Sequence, residues 1–475
     1  MTDFQLAPDL PLSLEWVNCA PQRLNTLHGR VTALAFWHAG SATSANLLAD
    51  LAFLQTKYAD GLSVIGLHTP KFDAQRDAAL VGRAVNRLGV RFPVASDADA
   101  VAWQHYGVRG WPCVAFVDAQ GRLVEIVAGD QQREALEERI IHLLDEAGER
   151  GLRVYETALS VSRPEPRTEV AFPRGLALTP QRLYVSDSGH HRILECDHDG
   201  KVLRAFGSGA AGFVDGPGIQ AAFQMPAGLA VLKDVLYVAD TGNHAIRRIN
   251  LSTGDVGTLI GQGRGGLPQP VSDVRGATVL LDRPWGVSCG PERLYISMAA
   301  SHQIWELDLT RFSFRSLAGS GRLALNDGAG ALASFAQPAG MVLVQSTLYV
   351  CDSQSSALRS VNVASGEVHT LLGQGLFEFG NEEGERDTAR MQYPLDVTLD
   401  PKAAMLWIAD SYNDAIGALH LEGGGLVRFP IAHRLRCPSG IAGDGTRLWI
   451  ANTDAHEVVR WEIGSGEVHV LPMTP

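Results

Sequence analysis

Apolar and polar residues alternate in short runs along the last two thirds of the chain, and one such run occurs six times. Each copy has a leucine, an aromatic residue and a β-branched residue, and most copies end in Asp two positions later. The copies are Leu183–Asp187, Leu236–Asp240, Leu294–Met298, Leu348–Asp352, Leu406–Asp410 and Leu448–Asn452. Runs this short and this rich in β-branched and aromatic residues predict strands. Their return every 42 to 58 residues indicates a repeat architecture.

The sequence around each copy is also repeated. A Pro with Gly two residues later, or a near variant, precedes the predicted strand, and turn residues and a further apolar run follow it. The position four residues after the Asp is occupied by His191, His244, His302, Ser356, Asp414 and His456. The sequence of each unit therefore predicts four antiparallel strands. Because a single unit cannot bury both of its faces, six units are expected to close into a β-propeller.

Three segments carry a resemblance to the NHL-repeat family. They are Asp187–Leu194, Ala300–Trp305 and Phe335–Gly340. The resemblance covers about residues 170 to 475 and implies an all-β, six-bladed NHL-type β-propeller over residues 171–475.

The first 150 residues follow a different pattern, in which apolar runs alternate with amphipathic segments. The predicted strands are 31–37 and 62–68, the predicted helices are 41–58, 74–88 and 99–106, and a hairpin over 113–118 and 123–128 precedes a last helix at about 131–147. This is the element order of a thioredoxin. Residues 1–150 are thus expected to form an α/β thioredoxin-like domain, which residues 151–170 connect to the propeller.

Two local segments are similar to those of thioredoxins. Ala35–Ala39 resembles the sequence that leads into the thioredoxin active site, and Trp111-Pro112-Cys113 resembles the segment that carries a cis proline before a strand. If the fold is right, Trp37, Trp111 and Pro112 are candidates for a peptide-binding groove.

The redox motif that a thioredoxin carries is missing from this sequence. Ser41 and Ser44 stand where the two cysteines of Cys-x-x-Cys are expected. Dithiol–disulfide exchange requires a thiolate nucleophile and a second, resolving thiol. Serine hydroxyls supply neither at neutral pH, so we predict that this chemistry is lost.

Cys113 is a less favoured candidate for a reactive thiol. In a thioredoxin-like fold its loop would face the N-terminus of the 41–58 helix, and a helix N-terminus lowers the pKa of a nearby thiol. The alternative is a strand residue that points into the core. The six cysteines show no pairing pattern, which is typical of reduced thiols in the cytoplasm.

Charge and hydropathy disfavour two classes of partner, nucleic acids and membranes. The chain has a formal net charge of −12, and residues 1–150 carry 13 basic against 18 acidic side chains. A net acidic chain without basic runs disfavours nucleic-acid binding. No secretory signal is visible at the start and no apolar stretch has membrane-spanning length, so we expect no membrane association and a cytoplasmic location.

The repeated histidines and aspartates invite a metal-binding hypothesis, which geometry disfavours. Equivalent positions in six blades are rotated by roughly 60° from one blade to the next and converge only at the central axis. We therefore expect structural roles in the turns and no metal or cofactor. The positions concerned are Asp187, His191, Asp240, His244, His302, Asp352, Asp410 and His456.

The sequence thus favours a non-catalytic, redox-inactive scaffold that binds a protein or peptide. In this hypothesis an extended backbone pairs with the thioredoxin groove without forming a disulfide. Two alternatives remain open: a thioredoxin-like oxidoreductase or peroxide-reducing enzyme that uses a non-standard cysteine such as Cys113, and a propeller hydrolase or lyase with a metal in the channel.

Overall fold

The computed structural model of the protein describes residues 5–130, 133–155, 159–162, 168–275 and 277–474. Its internal contacts divide the chain into two compact units, residues 1–165 and 166–475. Within the expected connector, residues 156–158 and 163–167 lie outside the described residues. No helix in the described ranges is both long enough and apolar enough to cross a membrane.

The N-terminal unit is a six-stranded mixed sheet with helices packed on it. Its strands are β1 Glu15–Trp16, β2 Val31–Trp37, β3 Leu62–His68, β4 Val94–Ser96, β5 Cys113–Val117 and β6 Leu123–Ala128. The spatial order is β1-β4-β3-β2-β5-β6, with β2, β3 and β4 parallel and β5 antiparallel to β2. The two central strands β2 and β3 are buried along their whole length, which explains their unbroken apolar sequence.

In the described residues of this unit, four α-helices accompany the sheet. They are α1 Ala42–Lys57, α2 Ala78–Leu88, α3 Val101–His105 and α4 Arg133–Glu149, with short 3-10 helices at Leu24–Leu27 and Asp73–Arg76. The helix predicted over 74–88 is therefore two pieces. The division falls at Asp77, whose carboxylate accepts a hydrogen bond from the Ala79 N–H at 2.9 Å and begins α2 anew. The α/β thioredoxin-like fold is confirmed.

The C-terminal unit is a six-bladed β-propeller, as predicted. Blade 1 comprises β7 Pro173–Leu178, β8 Leu183–Asp187, β9 Arg192–Cys196 and β10 Val202–Phe206. Blade 2 comprises β11 Gly216–Pro217, β12 Leu229–Leu232, β13 Val235–Asp240, β14 Ala245–Asn250 and β15 Asp255–Gly261. Blade 3 comprises β16 Pro284–Gly290, β17 Arg293–Met298, β18 Gln303–Asp308 and β19 Phe314–Ala318.

The other three blades follow the same plan. Blade 4 comprises β20 Gly328–Ala329, β21 Pro338–Val344, β22 Thr347–Asp352, β23 Ala357–Asn362 and β24 Glu367–Leu372. Blade 5 comprises β25 Asp396–Asp400, β26 Met405–Asp410, β27 Ala415–His420 and β28 Leu426–Arg428. Blade 6 comprises β29 Pro438–Gly443, β30 Arg447–Asn452, β31 Glu457–Glu462 and β32 Val468–Val470.

The ring closes between blades 6 and 1 without exchange of a strand, because every blade is built from one continuous segment. The Thr453 hydroxyl donates to the Pro173 carbonyl at 2.7 Å, and the Val202 N–H donates to the Thr474 carbonyl at 2.8 Å. Leu471 packs among buried residues of both blades. Hydrogen bonds and apolar packing together therefore join the two ends of the propeller segment.

Candidate functional site

The N-terminus of α1 occupies the place of a thioredoxin redox site. Ser41 is the N-cap of the helix, and its hydroxyl accepts a hydrogen bond from the Ser44 N–H at 3.0 Å. A second hydroxyl, that of Thr43, lies 2.9 Å from the Ser41 oxygen. Ser41 and Ser44 are 6% and 0% exposed. The Ser41 hydroxyl is an ordinary N-cap, the Ser44 hydroxyl accepts a long hydrogen bond from the His38 N–H at 3.5 Å, and neither residue presents a sulfur.

Aromatic side chains surround the loop that precedes β5. The Trp111–Pro112 peptide bond is cis, as the resemblance to thioredoxins implied. The half-buried Trp111 ring lies 4.6 Å from the Trp103 ring and 5.1 Å from the His38 ring. Pro112 is buried. His38 was not singled out in the sequence, because its contact with Trp111 joins residues more than 70 positions apart.

The interpretation of Trp37 as a groove residue is wrong. Trp37 is 0% exposed and packs in the core beneath α1. The reason is its position at the end of β2, a central strand covered on both faces. Of the three predicted groove residues, Trp111 alone retains appreciable exposure.

The Cys113 thiol has the environment of a core residue. It is 2% exposed and packs with Leu34 and Phe36, in a different cluster from the leucines of α1. Burial raises the pKa of the Cys113 thiol to about 12. The thiol is therefore protonated at neutral pH, which disfavours the reactive-thiol hypothesis.

In the propeller, the repeated histidines join neighbouring blades. The Nδ1 atom of His191 accepts a hydrogen bond from the Met225 N–H at 3.2 Å, and His244, His302 and His456 do the same with Arg283, Gln337 and Phe172. Ser356 and Asp414 take this role in blades 4 and 5. In all six cases the donor is the residue before the repeated Pro at the innermost strand of the next blade, and it has a positive φ.

The repeated aspartates lock each blade internally. The Oδ1 atom of Asp240 accepts from the Gln224 N–H at 2.8 Å, and Asp187, Asp352 and Asp410 accept from the residue at the equivalent position. The second oxygen of Asp240 accepts from the fully buried Arg247 at 2.8 Å. Arg247 also binds Asp215 of the preceding loop, at 2.7 Å. The loop is thus fastened to its own blade.

Blade 4 repeats this arrangement with a second arginine. Arg359 binds Asp352 at 3.3 Å and Asp327 at 3.0 Å, and Thr370 donates to Asp327 as Thr258 does to Asp215. The pairing of these arginines with the repeated aspartates was not predicted from the sequence. The signal was available, because each Arg follows its Asp by seven residues.

These contacts do not bring the repeated side chains together at a metal site. Across the described ranges, no group of three or more His, Cys, Asp or Glu residues has an arrangement that could hold a metal ion. The histidines are instead distributed around the ring at four of the six junctions between blades, where they bind backbone N–H groups.

Comparison with known proteins agrees with both folds. The family model of the NHL repeat matches residues 223–249, which span β12, β13 and most of β14 in blade 2. The chain is 34% identical to the Protein SUPPRESSOR OF QUENCHING 1, chloroplastic, of Arabidopsis thaliana over 97% of its length. It is 31% identical to the NHL repeat-containing protein 2 of Bos taurus over 98% of its length.

The matched relatives differ in the share of their own length that this chain covers. The chain spans about half of the Arabidopsis protein, 47%, and 72% of the bovine protein. A shorter match, to the Thiol-disulfide oxidoreductase ResA of Bacillus anthracis, has 31% identity over 24% of this chain and 64% of ResA.

Proposed function

Because the chain belongs to the family of NHL repeat-containing protein 2, we propose that it is a non-catalytic scaffold that binds a protein or peptide partner. Its thioredoxin-like domain has lost dithiol chemistry, and its propeller supplies a rigid platform. The observation that carries this proposal is the pair of buried serines at the head of α1, where the Ser41 hydroxyl caps the helix by accepting from the Ser44 N–H.

The remaining thiols support the absence of redox chemistry. Cys19 is half-buried, and burial raises its pKa to about 11. Cys113, Cys196 and Cys289 each have a pKa raised to about 12 by burial. Thiolate is the nucleophilic form of cysteine, so none of these groups is activated for attack at neutral pH.

Trp111 is the residue that we propose for recognition of the partner. It is half-buried beside a cis proline, and its neighbours Trp103 and His38 hold the ring in place. Rigid aromatic side chains contribute strongly to protein interfaces at a low cost in conformational entropy. An extended peptide that pairs beside Pro112 would contact this ring.

An insulin-reduction assay tests the loss of redox activity. We expect no turnover with the wild-type protein or with Cys113→Ser. The double variant Ser41→Cys/Ser44→Cys is the positive comparison, because it restores both thiols at the capped helix terminus. Turnover by the wild type that disappears in Cys113→Ser would establish the oxidoreductase hypothesis instead.

Partner binding is tested separately by affinity capture and mass spectrometry. A partner retained by the wild type should be lost with Trp111→Ala, at an expected cost of about 2 kcal/mol or more if the ring is an interface hot spot. Trp305→Phe is a matched control, since Trp305 is a buried propeller tryptophan. Equal retention by wild type and Trp111→Ala would refute the proposed role of Trp111.

We also propose a reducing compartment, such as the cytoplasm, because all six cysteines are free. Cell fractionation followed by thiol labelling checks this location. Recovery of the protein in an oxidising compartment would contradict it.

A further inference from the structure

The propeller encloses a cavity of about 280 Å³ along its axis, here called the central channel. It is lined by the innermost strand of every blade. Among the described residues of its lining, two are charged: Arg174 of blade 1 and Asp396 of blade 5. The volume lies just below the range of about 300–1,000 Å³ that is usual for sites of drug-sized ligands. A ligand of this channel would therefore be small.

Asp396 interrupts a ring of glycines. The corresponding residues of the other five blades are Gly175, Gly228, Gly286, Gly340 and Gly440. A Cβ at any of these glycines would overlap an atom of the next blade, in most cases a backbone carbonyl oxygen. The close approach of the inner strands thus explains the glycines. Blade 5 departs from this rule and places a carboxylate at the channel.

The Asp396 carboxylate has no cationic side chain beside it in the described part of the chain. Its Oδ1 accepts from the Val397 N–H at 3.0 Å, and its Oδ2 accepts from the Ile441 N–H of blade 6 at 3.0 Å. Burial raises its pKa to about 7. A carboxylate oxygen can accept further hydrogen bonds, and opposite charges attract more strongly in surroundings of low dielectric constant than in water.

The second charge lies on another side of the channel. Arg174 is 4% exposed, and its guanidinium lies over the Trp285 ring at 4.7 Å from the centroid. Trp285 belongs to blade 3, so the Arg174 side chain reaches past the small Ala227 of blade 2. A guanidinium has five N–H donors in a planar fork that suits a carboxylate.

We propose that the central channel binds a small zwitterion of the amino-acid type, with its ammonium group on Asp396 and its carboxylate directed to Arg174. A ligand with only one sign of charge would meet one favourable and one unfavourable group in this lining. A ligand with both signs complements both groups. This site consists of propeller residues alone and does not rest on the scaffold proposal.

Isothermal titration of the full chain with glycine, L-alanine, L-serine, L-valine and L-leucine tests the proposal. At least one of these probes should bind with a Kd below about 1 mM. Its amide, which lacks the anion, and its N-acetyl derivative, which lacks the ammonium, should bind at least about tenfold more weakly, a loss of about 1.4 kcal/mol. No binding by any free amino acid, or equal binding by a blocked form, overturns the proposal.

Two variants of one residue localise the site. Asp396→Asn and Asp396→Gly should each weaken binding at least about tenfold, while Asp234→Asn, in an exposed hairpin of blade 2, should leave it unchanged. The glycine variant guards against a folding defect, since glycine is the residue that five blades already use at this position. Unchanged affinity in a folded Asp396→Gly protein refutes the assignment.

Discussion

Blades 2 and 3 place different chemistry at the same two positions of the repeat. Blade 2 has the ion pair Asp240–Arg247, in which both side chains are 0% exposed. Blade 3 has Met298 and Trp305, which are buried and belong to one apolar cluster. Both blades nevertheless form the same four-stranded core with the same register between their second and third strands. The pair is therefore not a condition for the blade fold.

The difference between the blades lies in what surrounds the pair. In blade 2, Arg247 also binds Asp215 and the carbonyl oxygens of Ala222 and Val214, so it holds the preceding loop against the sheet. In blade 3, the Trp305 ring stacks on Phe314 at 4.6 Å, and its indole N–H donates to Gln303. In blade 2, the hydrogen bonds from Arg247 to the loop compensate for the burial of its charge. In blade 3, the aromatic ring of Trp305 fills the same position by apolar packing.

Removal of one charge from blade 2 should have the largest effect. Arg247→Met leaves Asp240 buried without its cation, so we expect the free energy of unfolding to fall by about 3–5 kcal/mol. Urea denaturation followed by tryptophan fluorescence measures this loss. Arg275→Met is the control: the Arg275–Asp273 pair is exposed, and its loss should cost less than about 1 kcal/mol. Similar losses in the two variants would show that the buried pair contributes no more than a surface pair.

The hydrogen bond between blades, which blades 2 and 3 share, should rank second. His244→Ala leaves the N–H of the buried Arg283 without its acceptor and should cost about 1–3 kcal/mol. His302→Ala, which affects the Gln337 N–H in blade 4, should cost a similar amount. His244→Ser should restore part of the loss, because Ser356 accepts the equivalent bond between blades 4 and 5. If His244→Ala leaves the urea midpoint unchanged, the histidine does not stabilise the junction.

Transfer of the blade 3 pair into blade 2 should have the smallest effect. The double variant Asp240→Met/Arg247→Trp removes both charges and replaces them with apolar side chains. Replacement of a buried ion pair by apolar groups is often neutral or stabilising, so we expect a stability within about 1–2 kcal/mol of wild type. The same denaturation experiment checks it. A loss equal to that of Arg247→Met would mean that the loop contacts, and not the buried charge, dominate.

The strands of the propeller were predictable because their signal is local. A Leu–aromatic–β-branched run reads as a strand whatever surrounds it, and six copies allowed the repeat to be recognised. Strands β2 and β3 were predicted at their observed bounds for the same reason, since an unbroken apolar run must be covered on both faces. The short strands β1 and β4 were not predicted, because runs of two and three residues carry no periodicity and their places depend on pairing with each other and with β3.

The candidate sites were less predictable, because their contacts join residues that are distant along the chain. Tryptophan is a common residue type at binding sites, but the strand that carries Trp37 lies at the centre of the sheet and its ring is buried. Two such contacts join residues more than 30 positions apart: His191 with Met225, and Arg247 with Asp215. No local sequence pattern predicts either contact. The irregular residue Asp396 was visible in the sequence, but its position at the channel was not.

The amino-acid sequence alone determined the number of blades, the central strands and long helices of the N-terminal domain and the absence of sulfur at the head of α1, because each depends on residue identity and short-range periodicity. The tertiary structure decided which side chains are accessible and which atoms meet. Burial placed Trp37 and Cys113 in the core and raised the pKa of the Cys113 thiol, and ring closure brought Asp396 and Arg174 to a common channel. Solvent exposure and charge environment depend on neighbours from the whole chain, so they emerge only when the chain has folded.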